Sequence, residues 1–303
     1  VLTLVFIINA AKKNNDYNLI EAGALFAKDS TNVFDFPKVQ AVVNINKQHL
    51  NFLKKKTLNE VIDQKTGYLS NFTNIYIGKQ KPSVLRRIKQ NLKNNYSNQF
   101  YSNDWNLIKK NGKFYYRNKT FLIKLNTKYI HSRGLLENLC LAIKIALDLG
   151  LDKQIIVKTI PKIKFEARIQ YLDKGRLINK LNKGEKLLID GCHSETSALN
   201  FKQYLKTLNV PLYGIWSMTK NKEPEKFISK FRGMFKKIVI LPIKNESSSL
   251  PGPLLLKIAK KNKFETEIAN SIGQALKKLT SKEKKVICVF GSLYLCGNVL
   301  SKN

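Results

Sequence analysis

"KLLIDGCHSETSALNF", residues 186–201, joins an apolar strand-like run to a helix-like run through a short polar turn. The apolar run ends at Asp190, and His193 follows before the helical spacing begins. A carboxylate and an imidazole at this point have two explanations. Asp190 caps the next helix, or the carboxyl end of the strand is a binding edge, as in open α/β sheets.

The alternation of strand-like and helix-like segments continues on the C-terminal side of this stretch. Strands are predicted at 186–190, 210–216, 236–243, 264–269 and 284–290, and helices at 195–208, 223–235, 252–262 and 271–281. Such a βαβ series predicts a parallel sheet with helices on both faces.

The N-terminal half shows the same α/β pattern less regularly. Strands are predicted at 17–23, 38–46 and 74–78, helices at 58–69, 82–94 and 134–151, and a hairpin within 97–130. The opening apolar run, residues 1–11, is too short to span a bilayer and is predicted to form the last turns of a core helix. We therefore predict an α/β protein of two domains, 1–160 and 161–303, with Pro161 in a basic connector.

Composition limits the classes of function. The 303 residues are 43% hydrophobic, which is enough for a core, and 54 Lys and Arg face 21 acidic residues, a net charge of +33. This excess suits nucleic acid, an anionic membrane surface or phosphorylated substrates. The lysines are spread along nearly the whole chain, however, and Asn and Ile are abundant, which favours an A/T-rich codon bias over a basic patch. The four cysteines form no C-x-x-C pair, so a reduced, cytoplasmic location is expected.

Two residues of the N-terminal half follow predicted strands. Glu21 ends the strand predicted at 17–23, and His49 follows the strand predicted at 38–46. If these strands are parallel neighbours, both side chains lie at one carboxyl edge and could bind a divalent cation that bridges phosphates. The alternatives are a helix-capping Glu21 and a surface His49. Lys65, on the predicted helix after His49, is by itself a solvated lysine.

Further candidates lie around the domain boundary and near the C-terminus. Arg168 opens the second half, and its guanidinium suits phosphate oxygens. Asn138 lies on the helix predicted at 134–151 and could hydrogen-bond to a base. The motif "ICVFGSLYLCGNVL", residues 287–300, combines a strand, a turn at Gly291 and a helix. The chain contains no G-x-x-x-x-G-K-[ST] phosphate loop.

The order of these motifs resembles the folylpolyglutamate synthase / dihydrofolate synthase family of the Mur ligase group. The resemblance covers residues 1 to about 300 and rests on "LIEAG…DSTNV", "VVNINKQHLNFL", "QKTGYL", "LLENLCLAI", "EARIQYL", "LLIDGCH" and "FGSLYLCGNVL". It implies a partial P-loop-type ATPase domain with a mainly parallel sheet, followed by a Rossmann-like glutamate-ligase domain. The phosphate loop and the pterin-binding region would lie upstream, so we expect the chain as given to be inactive.

The resemblance also implies an activity and roles for the candidate residues. Members of the family use ATP to phosphorylate the carboxylate of a pteroate or folate, and the amine of glutamate then attacks the acyl phosphate. By motif, Glu21 and His49 resemble the magnesium ligands, and Lys65 resembles a lysine that is carbamylated near the metal. Asn138, Arg168 and Asp190 resemble the ATP contacts, with His193 beside the nucleotide; Lys65 and His193 are the expected catalytic residues.

The expected ligands and partners follow from the same resemblance. They are ATP, Mg²⁺, a monovalent cation such as K⁺, dihydropteroate or folate, and L-glutamate. We expect a monomer that binds neither nucleic acid nor membrane. Whether such an enzyme adds the first glutamate, later ones or both stays open.

The sequence departs from the family pattern in four places. The family's "GLGGRLD" stretch is Gly23–Asp29 here, Gln48 replaces the Asp before the metal-binding His, Gly134-Leu135 replaces His-Gln, and His193–Glu195 replaces His-Asn-Pro. Divergence in an A/T-rich lineage and decay toward an inactive copy both account for these changes. Two other functions also remain: a Mur-type ligase acting on a cell-wall peptide precursor, and a basic, non-catalytic nucleic-acid-binding protein.

Overall fold

The computed structural model describes residues 2–303, which divide into two compact units. The N-terminal unit contains the chain up to Leu125 together with Glu137–Val157, and the C-terminal unit contains Asn126–Leu136 together with Lys158–Asn303. The two units have separate sheets and separate buried cores.

The N-terminal unit contains two three-stranded sheets. Its elements are α1 (Leu2–Ala11), β1 (Val39–Val42), a 3₁₀ turn (Leu50–Phe52), α2 (Leu58–Thr66), β2 (Asn74–Ile77), α3 (Pro82–Asn91), β3 (Ser97–Phe100), β4 (Trp105–Lys110), β5 (Lys113–Asn118) and β6 (Leu122–Lys124), and α4 (Arg133–Asp148) and α5 (Lys153–Thr159) follow. Strands β1, β2 and β3 pair in parallel, whereas β4, β5 and β6 form an antiparallel meander.

Local sequence explains where these elements begin and turn. The hydroxyl of Thr57 accepts a hydrogen bond from the Glu60 N–H (3.2 Å) and starts α2. Pro82 occupies the first turn of α3, where its fixed φ is tolerated. Asn111 and Gly112 have φ of 48° and 73°, and this pair of positive values joins β4 to β5 in the predicted hairpin.

Two predictions for the N-terminal half are wrong. Residues 17–23 form no strand, because no neighbouring strand pairs with them and their apolar side chains, such as Leu19 (93% exposed), face solvent. Helix α1 is present, but none of its residues from Leu2 to Ala11 is buried, so it is not a core helix. A helix with apolar residues on all sides is expected to be buried, but it is buried only where other elements pack against it.

The C-terminal unit is built on one six-stranded sheet. Its elements are β7 (Gln170–Leu172), β8 (Glu185–Asp190), α6 (Glu195–Leu205), β9 (Leu212–Trp216), α7 (Pro224–Ser229), β10 (Lys237–Ile240), α8 (Gly252–Lys261), β11 (Thr266–Ile268), α9 (Ile272–Leu279), β12 (Lys285–Phe290) and α10 (Leu293–Leu300), with 3₁₀ turns at Ile160–Lys162 and Ile178–Lys180. The strand order is β11-β10-β9-β12-β8-β7, parallel throughout except for the edge strand β7. The predicted α/β fold is therefore confirmed, and β7 is the strand that the sequence pattern missed.

Helices cover both faces of this sheet. Phe201 of α6, Phe227 of α7 and Leu255 of α8 belong to one buried cluster, whereas Leu276 of α9 and Leu295 of α10 belong to another. The helices that follow the adjacent strands β8 and β12 therefore lie on opposite faces. The change of face between these two helices marks a topological switch point. Open α/β sheets bind ligands at the carboxyl edge of such a point.

Candidate functional site

The switch point brings the ends of β8 and β12 side by side. Asp190 pairs with Phe290 in the parallel register of these strands. A Cβ at Gly191 would collide with the side chain of Leu293 at the start of α10, so the turn after β8 requires glycine. The segment quoted first, residues 186–201, thus leads from a buried strand to a tightly packed edge.

Asp190 holds other parts of this edge together. Its side chain is buried, Oδ2 accepts a hydrogen bond from the Ile169 N–H (2.8 Å), and Oδ1 accepts one from the Cys192 N–H (2.9 Å). Burial raises the pKa of this carboxyl, although the hydrogen bonds from Cys192 and Ile169 act in the opposite direction. Asp190 does not cap α6, since Ser194 does so by accepting from the Ser197 N–H (3.3 Å).

Arg168 lies at the centre of an unusual turn. Its neighbours Ala167 and Ile169 both have left-handed backbone conformations, with φ of 53° and 51°, and both are buried. The left-handed conformation costs a non-glycine residue about 1–2 kcal/mol. The turn is held by Gln170, whose Oε1 accepts from the Ala167 N–H (2.8 Å), and by the Gly191 N–H, which donates to the Ala167 carbonyl (2.8 Å).

The side chain of Arg168 is only half-buried, and within residues 2–303 it forms no salt bridge. Its charge nevertheless lowers the pKa of His193, which places the two groups within electrostatic range. An unpaired guanidinium beside a ligand-binding edge suits an anion such as a phosphate group.

His193 is positioned by the turn that follows β8. Its Nδ1 lies 2.9 Å from the Gly191 carbonyl oxygen; a carbonyl can only accept, so Nδ1 carries the proton. Burial lowers the pKa of His193, and the charges of Lys222 and Arg168 lower it further, against an opposing contribution from the Gly191 hydrogen bond. The neutral ring therefore keeps Nε2 free of a proton, as a hydrogen-bond acceptor.

The two amides that precede α6 are already used within the protein. Ser197 Oγ accepts from the His193 N–H (3.1 Å) and from the Ser194 N–H (2.9 Å). These two donors are therefore not directed at a ligand.

Lys65 is the best-defined candidate of the N-terminal unit. Its Nζ donates to the Ala24 carbonyl (2.6 Å), and the Ala27 N–H donates to the Gln64 carbonyl (2.9 Å), so the segment after Glu21 lies against the C-terminal end of α2. Burial lowers the pKa of Lys65, and the charge of Asp29 only partly opposes this effect.

Asp29 closes the segment that lies over Lys65. It accepts from the Gly23 N–H (2.9 Å), from the Thr31 N–H (3.0 Å) and from the Thr31 hydroxyl (2.6 Å). Partial burial acts to raise the pKa of Asp29, but these hydrogen bonds outweigh it and the pKa is lowered. Asp29 was not among the predicted site residues. The sequence feature that could have indicated it is its place as the last residue of the stretch Gly23–Asp29, which corresponds to the family's "GLGGRLD".

The remaining predicted residues are less well defined. Glu21 is exposed in an irregular segment and does not end a strand, so the argument that placed it at a strand edge fails. His49 precedes a 3₁₀ turn with φ 59°, and its ring lies 6.3 Å from that of Phe52. Asn138 is exposed on α4.

Among residues 2–303 no group of three or more His, Cys, Asp or Glu side chains could hold a metal ion. The assignment of Glu21 and His49 as metal ligands stays a prediction.

The C-terminal unit is similar to a known domain family. Residues 174–302 match the family described as dihydrofolate synthetase, C-terminal domain. The predicted family resemblance is confirmed. A search of curated protein sequences gives no match.

Solved structures of this group share the fold across both units. Folylpolyglutamate synthase from Thermotoga maritima is 22% identical with a TM-score of 0.81, over 99% of this chain and 68% of that chain. The Mycobacterium tuberculosis enzyme, complexed with ADP and AMPPCP, is 16% identical with a TM-score of 0.82, over 99% of this chain and 71% of that chain. The bifunctional Yersinia pestis enzyme, complexed with AMPPNP and Mn, is 14% identical with a TM-score of 0.73, over 93% of this chain and 65% of that chain.

These comparisons show that the chain shares the fold of these proteins. The chain spans 65–71% of the length of the three proteins. In addition, no helix within residues 2–303 has the length and apolarity needed to cross a membrane.

Proposed function

We propose that this chain forms part of an ATP-dependent ligase that joins glutamate to dihydropteroate or a folate. The observation that carries the proposal is the match of residues 174–302 to dihydrofolate synthetase C-terminal domains. The unpaired Arg168 beside the neutral His193 supports it, because a nucleotide offers both phosphate oxygens and hydrogen-bond donors.

The proposed reaction has two balanced steps. A carboxylate oxygen of the pteroate or folate attacks the terminal phosphorus of ATP, and ADP leaves. The amine of glutamate then attacks the acyl carbon, phosphate leaves, and the amine releases a proton. The main barrier is the repulsion between an anionic carboxylate and an anionic phosphate, which positioned cations reduce.

Each predicted residue has a role in this proposal. Arg168 binds phosphate oxygens, His193 accepts a hydrogen bond from the nucleotide through Nε2, and Asn138 hydrogen-bonds to the base. Asp190 contributes by holding the turn of Arg168, since both of its oxygens are already bonded. Lys65, as a carbamate, would supply a carboxylate-like group in the N-terminal unit.

Magnesium would be held by Glu21 and His49 in this scheme. One carboxylate and one imidazole are a poor magnesium site by themselves, because Mg²⁺ prefers six oxygen ligands. Within residues 2–303 no group of three or more His, Cys, Asp or Glu side chains could hold the ion, so the pair does not fit it by itself, and no step is assigned to the metal.

The proposal is tested by equilibrium dialysis of the protein with labelled ADP, followed by an assay for glutamate-dependent phosphate release. We expect weak ADP binding and no turnover by residues 1–303, because the chain has no phosphate-loop motif to supply backbone donors and a lysine. Absence of ADP binding at millimolar concentration, together with oligonucleotide binding that weakens steeply with salt, would favour the nucleic-acid alternative instead.

A further inference from the structure

The turn that carries Arg168 is built in a way that the proposed function does not explain. Ala167 and Ile169, on either side, are buried and left-handed, whereas Arg168 between them is half-exposed. A backbone of this kind persists only when its surroundings fix it, and such conformations cluster at functional sites. The turn presents one side chain and buries its two neighbours.

Hydrogen bonds fix this turn on both sides. On one side the Ala167 N–H donates to Gln170 Oε1 (2.8 Å), and the Ala167 carbonyl accepts from the Gly191 N–H (2.8 Å). On the other side the Ile169 N–H donates to Asp190 Oδ2 (2.8 Å). The amides on both sides of Arg168 therefore depend on a side-chain acceptor.

Gln170 is the first residue of β7, and its pairing with Ile189 fixes its backbone. From this position its side chain reaches back to the amide of Ala167. The turn is thus anchored to the sheet at the switch point, the edge where Arg168 would contact an anion.

We propose that Gln170 is a positioning residue, which with Asp190 holds the turn so that the Arg168 guanidinium meets the phosphate groups of a nucleotide at the carboxyl edge of the sheet. Gln170 does not touch the ligand and acts only through Arg168. This inference rests on the proposed function, because that function supplies the nucleotide.

A double-mutant cycle separates positioning from a general structural role. Gln170→Met keeps the length of the side chain and removes the acceptor, and we expect ADP affinity to fall about tenfold, equivalent to about 1.4 kcal/mol. In an Arg168→Met background the same change should alter ADP affinity less than about twofold. Gln170→Glu, which restores an acceptor for the Ala167 N–H, should recover affinity to within about threefold of the parent.

Two results of the cycle overturn the proposal. One is parental ADP affinity in Gln170→Met while Arg168→Met loses binding. The other is an equal loss from Gln170→Met in both backgrounds, which would indicate damage unrelated to Arg168. Melting temperatures establish that each variant is folded, and Gln170→Asn, which is too short to reach the amide, replaces Gln170→Met if that variant does not fold.

Amide hydrogen exchange gives a readout that needs no nucleotide. Exchange at Ala167 should accelerate at least about tenfold in Gln170→Met, while Ile189 in β8 keeps its protection. If the parent protein binds no ADP, the proposed function fails at this edge, and exchange still decides whether Gln170 holds the turn. Unchanged exchange at Ala167 overturns the proposal whatever the binding result.

Discussion

The Asp190 carboxylate accepts the Ile169 N–H over 2.8 Å and the Cys192 N–H over 2.9 Å, so one buried side chain joins the end of β8 to the turn that carries Arg168. The family resemblance implied that Asp190 is an ATP contact. The geometry favours a role through the backbone that it binds, because both oxygens are occupied and the side chain is only 6% exposed.

Removing the Asp190 carboxylate should therefore destabilise the fold. Asp190→Ala leaves two buried amides without an acceptor, and each costs about 1–3 kcal/mol in the free energy of unfolding. Asp190→Asn keeps one acceptor and should fall between this variant and the parent. Urea denaturation measures the free energy of unfolding of the parent and both variants, and Asp173→Asn, a change at an exposed carboxylate, is the control. Equal stability of the parent and Asp190→Ala would contradict the bridging role.

Replacing Arg168 should affect ligand binding more than stability. Its side chain is half-exposed and forms no salt bridge within residues 2–303, so Arg168→Ala leaves no cavity in the core. Loss of one charged contact should weaken ADP binding by about 1–3 kcal/mol. Equilibrium dialysis with labelled ADP measures the effect, and Lys164→Ala, an exposed cation of the same segment, is the control. Similar affinity in all three proteins would contradict a role for Arg168 in binding.

Sequence patterns predicted the C-terminal unit well because most of its strands contain runs of apolar residues. Strands β9, β10, β11 and β12 and the helices between the strands lie within the predicted segments, and β8 begins one residue before its predicted segment, at Glu185. The edge strand β7, Gln170–Leu172, was missed. The left-handed Ala167 and Ile169 could not be predicted either, since nothing in an Ala or Ile residue signals a positive φ.

The N-terminal unit was harder to predict because its predicted site residues depend on an irregular segment. Glu21 was expected to end a strand, but "YNLIE" has no strand partner within the described residues and stays irregular. The contact of Lys65 with Ala24 joins positions far apart in the chain, which periodicity does not encode. The family resemblance named Lys65, while only the structure gives its partner.

His193 should titrate below its ordinary pKa of 6.5, because burial and the charges of Lys222 and Arg168 disfavour the imidazolium. Lys222→Met removes one of these charges and should raise the pKa of His193, whereas Lys220→Met, an exposed neighbour, serves as the control. An NMR titration of the imidazole protons measures the shift. A pKa at or above 6.5 in the parent would contradict the acceptor role of Nε2.

The lowered pKa of His193 also determines whether its contribution to stability rises or falls with pH. The unfolded chain binds the proton near pH 6.5, and the folded chain binds it only at lower pH. Between these two values the unfolded state holds more protons, so the contribution of His193 to stability falls as the pH drops through this window. Above pH 6.5 the contribution is complete.

Lys65 should form a carbamate with carbon dioxide. Burial lowers the pKa of its amine, so a larger fraction is neutral, and only the neutral amine attacks carbon dioxide. The nitrogen bonds to carbon and a proton leaves to solvent. Carbon-13 NMR under labelled carbon dioxide should give a carbamate signal that Lys65→Arg abolishes and that Lys28→Arg, an exposed lysine of the adjacent segment, retains.

A variant of Asp29 provides a second test of carbamate formation at Lys65. Its charge raises the pKa of Lys65, so Asp29→Asn should lower that pKa further and let the carbamate form at lower pH than in the parent. Removal of the Asp29 charge also reduces its repulsion of the new carbamate anion, which acts in the same direction. A signal that persists in Lys65→Arg would assign the carbamate to another lysine. A carbamate that needs higher pH in Asp29→Asn would mean that Asp29 does not control the ionisation of Lys65.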